Sequence, residues 1–167
     1  MDIQVSEYID IEKKASELGC SMPSGLTILP QNFDTAKSPD ELIYESTTAT
    51  IRSILRQAGI QETKLEKQGI KIPHRANKSW EWVGPLIYIS SSMLSDAALP
   101  IGLNLISSYI YDLFKGHPRN SEGTIEFIVE TEKTEHGERR YKRLTFKGTP
   151  KDLDTIDINK LKQLSEQ

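Results

Sequence analysis

The sequence predicts an α+β fold: a small, mainly antiparallel sheet that includes a C-terminal β-hairpin, packed with three to five helices around a central apolar helix. Three observations lead there. Apolar residues recur at helical spacing near residues 6–18, 38–58 and 100–115, and they alternate with period two over 124–131 and 139–147. The stretch from Glu81 to Phe114 has no lysine or arginine, and its only acidic residues are Glu81, Asp96 and Asp112. That stretch is the candidate core.

Taken in order, Tyr8, Ile11, Ala15 and Leu18 share one face of a helix expected from Ser6 to Leu18, with Gly19 as its stop. Leu26-Thr27-Ile28-Leu29 reads as a short buried strand ended by Pro30. Ser38-Pro39-Asp40-Glu41 has the pattern of a capped helix start, with Pro39 in the first turn and Glu41 placed to close a capping box. The spacing predicts a helix from there to Ala58, with Ile43, Thr47, Ile51, Ile54 and Leu55 along one stripe and Gly59 as terminator. The polar run 61–68 is read as a flexible spacer or an extension of that helix. Gly69-Ile70-Lys71-Ile72-Pro73 is read as a short edge strand, since Pro73 has no N–H for a ladder.

Trp82 to Leu94 fits a buried strand or a helix opening at Pro85, and periodicity leaves both open. Pro100 to Lys115 is the central helix, with Leu103, Ile106, Tyr109, Ile110, Leu113 and Phe114 apolar and Gly116 after it. Ile125, Phe127 and Val129 alternate with Glu126, Ile128 and Glu130, and Leu144 and Phe146 alternate with basic and polar neighbours. Two strands joined across Glu132–Gly137 then make a hairpin with one core face. Thr149-Pro150-Lys151-Asp152 starts a last helix carrying Leu153, Ile156, Leu161 and Leu164 inward.

At 167 residues the chain fits a single domain, 1–167, with a core that needs no disulfide or metal. Its single cysteine, Cys20, excludes an intrachain disulfide and multi-cysteine metal sites, and points to a reducing, cytoplasmic setting. The net charge of −3 argues against nucleic acid as a partner, because there is no large positive field to gather it. Neither a secretory signal nor a lipidation motif is expected at the N-terminus, Met1-Asp2-Ile3-Gln4-Val5.

Candidates for chemistry are sparse. His74, His117 and His136 fall in separate loops, none with a second ligand at metal-binding spacing, so no metal and no cofactor is expected. Cys20 comes just after a helix exit whose dipole opposes a thiolate, which favours a structural thiol. Ser90-Ser91-Ser92 and Ser107-Ser108 lack the glycine elbow of a serine hydrolase, and no phosphate-cradling glycine run occurs. Asp96 and Asp112 interrupt apolar sequence; the first is expected to satisfy N–H groups at the start of the central helix, the second to face water.

Two clusters remain. Trp80 and Trp82, with Ile70 and Ile72 of the expected edge strand, are candidate protein-contact residues, since tryptophan is enriched at interfaces. Arg139, Arg140, Lys142 and Arg143 form the strongest basic run and are the candidate polyanion contacts. Glu126 and Glu130 on the adjacent strand answer that run as cross-strand partners. These residues point to a non-catalytic protein-binding or accessory module of a cytosolic complex, with another protein or itself as partner and no small-molecule ligand. Two other classes stand beside it: a small enzyme drawing on Asp96, Asp112 and His74, and a membrane-associating protein using the apolar segment 82–111, which Gly84-Pro85, Asp96 and Pro100 break into pieces too short to span.

Overall fold

The computed structural model describes residues 1–76, 81–115, 121–132 and 139–167. Within these residues the fold is α+β, a five-stranded sheet with strand order β1-β5-β4-β3-β2. The strands are β1 (Asp2–Glu7), β2 (Leu26–Leu29), β3 (Trp82–Ile89), β4 (Gly123–Glu132) and β5 (Arg139–Gly148). The helices are α1 (Ile11–Glu17), α2 (Thr48–Gln57), α3 (Ala98–Phe114), α4 (Pro150–Leu153) and α5 (Ile158–Ser165). All strand pairings are antiparallel except β3 with β4, which α3 connects as a crossover. His117, His136, Trp80 and the expected hairpin turn over 133–137 lie outside the described residues.

Trp82–Ile89 is a strand, and burial explains why its sequence left two readings open. A central strand is covered on both faces, so Leu86-Ile87-Tyr88-Ile89 is continuously apolar and shows no period. Its register shifts between Val83 and Leu86, where Pro85 has no N–H to give. Side chains take the carbonyls displaced there: Gln31 Nε2 donates to Gly84 O at 3.0 Å and Thr47 Oγ1 to Val83 O at 2.6 Å.

The central helix begins at Ala98, and Asp96 Oδ1 accepts from the Ala98 N–H at 2.8 Å. Leu99, Leu103, Ile106 and Ile110 are buried against the sheet side that carries Ile125 and Phe127, whereas Leu113, expected inward, is exposed. Gly102 lies where α2 crosses α3: a Cβ there would meet Ile60 Cδ1 at 2.8 Å and Leu55 Cδ2 at 3.3 Å.

Four expectations need correction. The N-terminal helix does not start at Ser6; β1 runs to Glu7 and α1 starts only after Asp10, whose side chain accepts from Lys13 N. Ser38–Glu41 forms a single short turn, because Glu41 caps the Lys37 N–H at 2.8 Å and Ser38 makes no side-chain cap, and the helix proper begins at Thr48. Gly69–Pro73 is not a strand; Tyr44 N donates to Pro73 O and Arg75 N to Tyr44 O, a lone bridge to the loop before α2. The last helix is two, since Asp157 opens α5 with its own cap to Lys160 N.

The hairpin also has two covered faces. Cross-strand register puts Glu126, Ile128 and Glu130 of β4 on one side with Thr145, Arg143 and Tyr141 of β5, and Ile128, Glu130 and Tyr141 are all buried. This side is closed by α1 and the loop after β2, from which Glu12 reaches Arg139 at 3.9 Å and Asp34 reaches Arg143 at 3.8 Å.

Candidate functional site

The two outer strands of the sheet present their edges differently. At β2 the edge is closed: Thr63 N donates to Leu26 O at 2.9 Å, Leu26 bridges Glu62, and Glu62 Oε1 accepts from Ile28 N at 3.4 Å. The polar run after α2 therefore lies along β2, anchored by the buried Ile60 and Leu65, instead of extending the helix. Glu62 is held in turn by Arg52 Nε at 2.7 Å, and the Arg52 guanidinium lies over the Tyr44 ring at 4.6 Å.

At β1 no strand of the described residues lies beyond the edge. Residues of β1 and β5 pair in a register that continues to Tyr8 and Tyr141, and Tyr8 N donates to Tyr141 O at 2.8 Å. Hydrogen-bonded and non-bonded pairs alternate along an antiparallel ladder. Asp2, Gln4 and Ser6 therefore turn their backbone groups toward β5, and Ile3 and Val5 turn theirs outward. The Ile3 side chain is 36% exposed and Val5 half-buried, both on the sheet side that carries Leu144 and Phe146. β1 has six residues and carries neither proline nor lysine, two of the residues that most often discourage further pairing, and its two charges, Asp2 and Glu7, stand at its ends.

The sequence-derived contact residues do not form one surface. Trp82 is 6% exposed; its ring lies where a Gly84 Cβ would sit, 2.8 Å from two of its atoms, and packs edge-on to Tyr109. Ile72 is buried and Ile70 is 48% exposed. Strand alternation splits the basic run: Arg139 and Arg143 lie on the side that α1 covers, Arg140 and Lys142 on the other. Arg139 pairs with Glu130 at 3.3 Å, Arg143 Nε with Glu126 at 2.5 Å, and Lys142 Nζ with Glu7 at 2.5 Å.

Sequence reasoning missed a cleft of about 520 Å³ beyond the C-terminal ends of the parallel strands β3 and β4, lined by Ser91, Ser95, Glu130, Lys162 and Glu166 among others. Its floor is Glu130, 4% exposed. Glu130 Oε2 accepts from Tyr88 Oη at 2.9 Å and from Arg139 Nη1 at 3.3 Å; Oε1 accepts from Ser91 Oγ at 3.0 Å and Ser91 N at 3.2 Å. Four donors meet the hydrogen-bonding capacity of a carboxylate, so this one ties strand ends together and aims nothing at a ligand. Burial, then the nearby Glu130 charge, pushes the Tyr141 hydroxyl up to about 12, and burial, then the hydrogen bond to Glu130 and its charge, raises Tyr88, so neither phenol loses its proton near neutral pH.

Asp96 and Asp112 are held apart by the central helix. Asp96 precedes α3 and Asp112 lies in its last turn, so at about 1.5 Å per residue they stand roughly 20 Å or more apart. His74 stands elsewhere, stacked on Tyr44 with ring centres 5.3 Å apart. Cys20 is half-buried with Sγ 3.9 Å from Leu18 O, and burial, then the Glu66 charge, raises its pKa. Among the described residues no group of three His, Cys, Asp or Glu side chains is placed to hold a metal, and no helix is long and apolar enough to cross a membrane. No family model matches the chain, and neither the curated proteins nor the solved structures contain a significant match to it.

Proposed function

We propose that this chain is a non-catalytic binding module of a cytosolic complex, and that it works by accepting a further β-strand along β1. One observation carries the reading: Ile3 and Val5 present backbone N–H and C=O groups at an edge with no neighbouring strand among the described residues, while the opposite edge of the same sheet is closed. Strand addition needs little else, because main-chain hydrogen bonds supply affinity and alternate side-chain positions supply selectivity. The single cysteine supports a reducing compartment.

The test uses the full chain as bait in its native cells, with contacts mapped by cross-linking, beside a Val5→Pro bait. Proline at Val5 removes an outward N–H and leaves the bonds to β5 in place. Partners cross-linked to residues 2–7 by the parent and lost by the variant support the reading. The same partners recovered by both baits, with no cross-link to β1, refute it.

A further inference from the structure

We infer that the strand added to β1 is β1 of a second copy, paired antiparallel about a two-fold axis through Gln4, so that two five-stranded sheets join into one. The inference rests on the reading of β1 as the working edge and names its occupant.

Parity restricts the register. A two-fold axis perpendicular to the sheet leaves each face on its own side, and directly opposed residues of an antiparallel pair point to the same side. Ile3 and Val5 share one side with Leu144 and Phe146, and Asp2, Gln4 and Ser6 share the other. With Gln4 on the axis, Ile3 lies opposite Val5 of the second copy and Asp2 opposite its Ser6. Ile3 and Val5 are also the residues whose backbone groups point outward, so the two equivalent pairs exchange about four hydrogen bonds. Two other registers keep the same parity: Val5 on the axis sets the Glu7 carboxylate against Ile3, and Ile3 on the axis sets Val5 against Met1, which lies outside β1 with its ammonium 3.9 Å from Asp152.

The charges agree with this register. Asp2 lies opposite Lys147 in β5, and Lys142 Nζ holds Glu7 at 2.5 Å, so both acids of the edge have a cation of their own chain nearby. Around Gln4 neither acid meets another acid, and like charges directly opposed would disfavour a pair. The contact is short: five residues a side bury less than the roughly 800 Å² per partner of a standard interface. The dimer is therefore reversible and concentration-dependent.

Light scattering on the full chain from low-micromolar to sub-millimolar concentration reads the association directly. The parent should pass from monomer to dimer, and Val5→Pro and Ile3→Lys should each weaken the dimer at least about tenfold, a difference of about 1.4 kcal/mol, with thermal unfolding of the monomer little changed. Cross-linking then reads the register on a Cys20→Ser background. Non-bonded antiparallel pairs stand about 4.5 Å apart at Cα, within bridging range of a disulfide. Gln4→Cys should give a disulfide-linked dimer much faster than Ser6→Cys, whose opposite residue is Asp2. A parent that stays monomeric throughout, a dimer indifferent to both edge variants, or equal cross-linking at both positions would overturn the inference. A monomeric parent whose cross-links to other proteins through β1 vanish with Val5→Pro overturns self-pairing alone; the reading of β1 as a binding edge falls only if those cross-links are absent as well.

Discussion

The two edges of this sheet differ in how they are finished, and the difference teaches what closing a β-structure requires. Along β2 the chain doubles back after α2 and fills the ladder with the Thr63 N–H and the Glu62 carboxylate. All four residues of β2 are buried as a result. Along β1 the ladder continues outward from Ile3 and Val5, and of its six residues only Val5 falls below the exposed range, with Ile3 at 36%. Closing an edge consumes a segment of chain and a half-buried ion pair; leaving one open makes a template for another strand.

The largest effect is expected at the closed edge. Glu62→Ala should lower stability by about 2.5 kcal/mol in urea unfolding, because Arg52 loses its 2.7 Å partner and keeps only Glu66 at 3.8 Å, while Ile28 N loses its acceptor. It should also expose Ile28 N and produce species larger than a dimer in light scattering; equal stability and unchanged size would show that Glu62 is not the closing element. Next comes the helix crossing that holds the return segment. Gly102→Val should cost about 2 kcal/mol by overpacking against Ile60 and Leu55, read by the same unfolding curves.

A matched pair of prolines sharpens the contrast within β1 itself. Gln4→Pro removes an N–H given to β5 and should cost about 1.5 kcal/mol. Val5→Pro, one residue on, should cost under about 0.5 kcal/mol. Similar losses at both positions would mean that the alternation of inward and outward groups has been assigned wrongly.

The smallest effect is at α4, which comes after β5 beside β1. Thr149 N–H and hydroxyl both hydrogen-bond Asp152 Oδ2 at 3.0 Å, and these bonds hold its carboxyl below the usual value. A carboxyl depressed in the folded state stabilises fully above its unfolded pKa, and that contribution is lost as pH falls through the folded value. Asp152→Asn should therefore lower stability slightly at neutral pH and flatten the acid limb, so that the variant and parent curves converge as pH falls below the ordinary carboxylate range.

Much of this architecture was legible in the residues. Period-two alternation marks β4 and β5, a short run of three apolar residues and a threonine bounded by Pro30 marks β2, and the 3.6 spacing of Leu103, Ile106 and Ile110 marks α3. The candidate edge was not found, although its signal was present: Ile3 and Val5 alternate with Asp2, Gln4 and Ser6, and Asp10 is a good helix cap. Tyr8 happens to fall at helical spacing from Ile11 and Ala15, and that coincidence absorbed the end of a strand into a helix. Ser38–Glu41 misled in the opposite direction, since a cap pattern with Glu41 turned to Lys37 starts only one turn.

The sequence by itself determined which segments are apolar enough to be covered and what period each carries, because burial on one face and backbone geometry both act over a few neighbouring residues. Tertiary structure alone decided that Trp82 is enclosed, that Glu130 is spent on Tyr88, Ser91 and Arg139, and that among the described residues no strand lies beyond β1 while the run from Ile70 to Ile72 forms no strand. Each of these depends on which distant segment arrives alongside. Whether an outer strand finds a neighbour is a matter of long-range contacts, which no local pattern encodes.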